Sequence, residues 1–86
     1  MDNKYNKIYL NLKLEHVNKF CTICDEFDFD INVICGKYCV DGKSAMGVMG
    51  LGGNKVLIAP VTDDEFEIER FFRLIEPLGA YKTEDF

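Results

Sequence analysis

The chain has 86 residues, 48% hydrophobic and 29% charged, and a net charge of −5. That is one domain, 1–86, with a modest core and a globular rather than disordered composition. An acidic chain without clustered Lys and Arg offers little to phosphate backbones or anionic membranes, so neither nucleic acid nor membrane is an expected partner. No apolar run approaches the roughly 20 residues that span a bilayer. Met1-Asp2-Asn3-Lys4 leads into no apolar signal core, so the expected location is the cytoplasm.

Along the chain, Ile8, Leu10 and Leu12 alternate with Lys7, Tyr9 and Asn11, the period-two signature of a half-buried strand. Leu14, Val17, Phe20, Cys21, Cys24 and Phe27 then recur at helical spacing and predict one apolar stripe. After the break at Asp28-Phe29-Asp30, residues 31–35 alternate again, Gly36-Lys37 fits a two-residue hairpin turn, and Tyr38-Cys39-Val40 is the return strand. Ser44 is a good N-cap for a short helix over 45–51, ended by Gly52-Gly53 and weakened by its glycines, so neighbours must hold it. Residues 55–61 read as a strand whose Pro60 marks an edge or an end. Thr62-Asp63-Asp64-Glu65 reads as a capping box for a last helix. Ile68, Phe71, Phe72, Ile75 and Leu78 form that helix's stripe, and Pro77 stops it.

The acidic residues Asp63, Asp64, Glu65, Glu67 and Glu69 read as a cap and a solvated face, not a catalytic pair. Four cysteines stand at 21, 24, 35 and 39. The Cys21–Cys24 spacing suits redox or zinc chemistry. Redox pairs, however, sit where a helix begins and its amides stabilise thiolate, whereas this pair lies in mid-helix. Zinc would need all four thiolates to converge. The expectation is core thiols and no metal; a cysteine-based metal or redox domain is the alternative.

The run Lys43-Ser44-Ala45-Met46-Gly47-Val48-Met49-Gly50-Leu51-Gly52 resembles HPr, the phosphocarrier family of the bacterial sugar phosphotransferase system. The element order extends the likeness over nearly the whole chain. It implies an α+β open-faced sandwich, βαββαβα, with a four-stranded antiparallel sheet and three helices on one face. It also implies that Ser44 stands for a regulatory serine phosphorylated in some lineages. Met46 and Met49 would stand on a helix that presents apolar residues to partners. The family's acceptor is a histidine capping the first helix, followed two positions on by an arginine. In the ungapped match Lys13 stands at the histidine position and Glu15 at the arginine position. His16 becomes the acceptor only if the helix is three residues shorter.

These readings lead to a non-enzymatic, HPr-like regulatory or interaction protein. It would have protein partners, no cofactor and no working phosphocarrier chemistry. The alternative within the family is a phosphocarrier that uses His16.

Overall fold

The computed structural model describes residues 6–84; the Met1–Lys4 reading lies outside them. The order is β1 (Asn6–Asn11), a 3-10 turn (Leu14–His16), α1 (Val17–Asp25), β2 (Ile31–Cys35), β3 (Tyr38–Asp41), α2 (Ala45–Met49), β4 (Lys55–Pro60), α3 (Glu65–Ile75), a second 3-10 turn (Glu76–Leu78) and β5 (Tyr81–Glu84). The strands form one antiparallel sheet in the order β3-β2-β4-β1-β5.

Alternation decides the layering. Ile8, Leu10, Ile31, Val33, Val56 and Ile58 point to one face and are buried. Val17, Phe20 and Cys24 of α1, Val48 of α2, and Phe71 and Ile75 of α3 enter the same core, so all three helices serve one face. Phe27, just past α1, stacks edge-on against Phe71 of α3 with centroids 5.4 Å apart. The Arg70 guanidinium lies 4.4 Å over the Phe27 ring.

The sheet has five strands, not the four expected. Gly79, at φ 108°, takes the left-handed turn that returns the chain after α3. Residues 81–84 then pair with β1, Tyr81 opposite Tyr9 and Lys82 opposite Ile8. Lys82 tethers the strand to α3: its ammonium is 2.7 Å from the Glu69 carboxylate and 4.7 Å over the Phe72 ring.

Three smaller expectations also change. Leu14 leaves the predicted stripe and is 63% exposed, because residues 14–16 wind as a 3-10 turn, whose side chains fall at a different angle. The last helix is capped by Asp64, whose carboxylate accepts from the Phe66 and Glu67 amides; Thr62 instead accepts from the Asp64 amide. Ile68 is only half-buried. Pro60 is the last residue of a central strand, so it marks an end and not an edge.

Candidate functional site

The two helices that the sequence singles out pack against each other, and their starts are built differently. The approach to α2 is dense with hydrogen bonds. The Gly42 amide donates to the Ile31 carbonyl at 2.7 Å, the Lys43 amide to the Asp41 carboxylate at 2.9 Å, and the Ser44 amide to the Asp41 carbonyl at 2.9 Å. Glycine suits position 42 because the backbone there passes close to β2 and α1. A Cβ there would stand 3.0 Å from the Ile31 carbonyl oxygen and 3.1 Å from the Cys24 Sγ. The Ser44 Oγ accepts from the Gly47 amide at 3.4 Å, the N-cap role expected of it.

Lys43 does something that no local pattern announces. Its ammonium donates to the Phe27 carbonyl at 2.6 Å, 16 residues away, at the C-terminal end of α1, where the helix dipole favours a cation. Sequence reasoning missed this role, since only the tertiary fold brings the two groups together.

The start of α1 is sparse by comparison. Lys13 is the last extended residue, at φ −84° and ψ 142°, and gives no side-chain cap. From Leu14 the backbone winds without interruption through the 3-10 turn into α1. His16 therefore lies inside the winding run, with helical φ −101° and ψ −1°, and its side chain caps nothing. Its Nδ1 is buried without a hydrogen-bond partner, and its Nε2 faces the Glu15 carboxylate at 3.8 Å. Lys13 and Glu15 are exposed.

Beside this start lies an apolar surface. Met46 is 86% exposed, Met49 52% and Leu14 63%. Met46 and Met49 are three residues apart on α2 and so share a face. A Cβ on Gly52 would overlap the Leu14 side chain and lie 3.2 Å from the Met49 carbonyl oxygen, which places Leu14 against Gly52, just past the end of α2. The methionine pair was legible in the sequence; Leu14 was not, because helical periodicity assigned it to the core.

The cysteines do not converge. Cys21 and Cys24 are buried in α1, whereas Cys39 is exposed on β3. Among the described residues no three His, Cys, Asp or Glu side chains are gathered as a metal site would need. Burial, with the Cys21 thiol next to it as the second cause, pushes the Cys24 thiol up to about 12. Burial, then the Asp25 and Asp41 carboxylates, raises Cys21 as well. Thiols held protonated in this way are poor nucleophiles and poor metal ligands.

No protein-family model and no curated protein matches the chain. Among solved structures it is similar to the crystal structure of HPr-C-His from Thermoanaerobacter tengcongensis. The TM-score is 0.66 at 27% identity, over 84% of this chain and 92% of that one. The protein has an HPr-like fold.

Proposed function

We propose that this chain is a non-enzymatic, HPr-like regulatory or interaction protein of the cytoplasm. It docks protein partners related to the phosphoenolpyruvate-dependent sugar phosphotransferase system and does not itself carry phosphate. The observation that carries this reading is the exposure of three large apolar side chains, Met46 and Met49 on α2 and Leu14 beside Gly52 just past it. Apolar side chains exposed together mark interaction sites, and Met adapts to varied partners. Ser44 stands beside them, where a phosphate would add about −1.5 to −2 charges to the rim of the surface.

The geometry of His16 supports the non-carrier half of the proposal. Phosphoryl transfer needs an imidazole nitrogen that reaches a partner, with positive charge beside it. Here Nδ1 is buried and Nε2 faces a carboxylate.

The test has two arms, both using the general phosphotransferase kinase. With phosphoenolpyruvate, no acid-labile phosphohistidine forms; rapid labelling that His16→Ala abolishes would establish the carrier alternative. In an NMR titration of labelled protein with the same kinase, the shifts centre on Leu14, Met46 and Met49, and Met46→Glu removes them. Shifts centred elsewhere would sink the docking half.

A further inference from the structure

We draw no further inference here: the strongest candidate, the groove between the end of β4 and the first turns of α3, which the exposed Phe66 lines beside Asp63 and Glu65, is an apolar surface with acidic neighbours, and nothing in the structure shows what covers it.

Discussion

The start of α2 lies against the C-terminal end of α1, whereas the start of α1 lies beside Gly52, just past α2, and the chain spends its polar groups on the two starts unequally. The α2 start is fastened by the Asp41, Gly42, Lys43 and Ser44 bonds, one of which reaches the far end of α1. The α1 start has an uncapped extended lysine, a 3-10 turn and an imidazole nitrogen without a partner. A five-residue helix cannot stand by itself, since nucleation costs more than so few hydrogen bonds return, so its surroundings must hold it. The winding run of α1 is longer and is anchored by side chains in the core, so its first turn can remain loosely tied. The proposed docking surface draws on both, with Met46 and Met49 on the fastened helix and Leu14 in the loosely tied turn.

The comparison breaks most visibly if the core anchor is removed. Phe20 is fully buried on α1. Phe20→Ala should cost about 3–5 kcal/mol, a large share of the stability of so small a domain. Urea unfolding measures it; a cost below about 1 kcal/mol would mean that α1 is held from its start after all.

Next in size is the lysine clamp. Lys43→Met keeps the length of the side chain but removes the bond to the Phe27 carbonyl, and should cost about 1.5–3 kcal/mol. It should also loosen α2, seen as faster amide exchange at Val48 than at Phe20. Equal acceleration at both sites would show that the clamp serves the whole fold and not the α2 start.

Cys24 lies against Gly42 in the same junction and tests it through pH. Its folded-state pKa, near 12, is raised above the ordinary 9.0. The protonated thiol is favoured in the fold, so its contribution to stability is complete below pH 9 and is lost as pH rises from 9 toward 12. Over that window stability should fall by up to about 1.4 kcal/mol per pH unit more than in Cys24→Ala, with reductant present. Parallel slopes for the two proteins would show that Cys24 is solvated and the junction is open.

These residues also show where the sequence was readable. The strands β1 and β2 announced themselves through alternation, and the hairpin through Gly36-Lys37, because those signals are local; residues 55–61 also read as a strand. Strand β5 did not, since its inward residue is Lys82. Its ammonium lies over the Phe72 ring and reaches Glu69, so a buried-side position reads as polar. Leu14 misled because periodicity assumes 3.6 residues per turn and the chain there winds more tightly. The cap of α3 was misplaced among three adjacent residues, Thr62, Asp63 and Asp64, that can all cap. Within the candidate site, Ser44, Met46 and Met49 stood in a recognisable run, whereas the Lys43 bond and the burial of the His16 Nδ1 are products of tertiary packing.

The smallest expected effect is a gain, and it sharpens the comparison from the side of α1. The winding run begins directly after Lys13, whose extended backbone is that of a cap residue and whose side chain supplies no acceptor. A cation at that place also opposes the positive end of the helix dipole. Lys13→Asp would supply both an acceptor for the free amides of the first turn and a charge of the favourable sign. It should raise stability by about 0.5–1 kcal/mol at neutral pH. Part of that gain depends on the ionised carboxylate, so it should shrink as pH falls through the ordinary aspartate range near 4. The same substitution at His16 would earn no capping term, because position 16 already has helical backbone angles. If His16→Asp stabilises the fold as a cap while Lys13→Asp does not, the helix begins at Val17 rather than at Leu14. His16 would then occupy the capping place from which an HPr-like acceptor works, and the phosphocarrier reading would gain the geometry it lacks here.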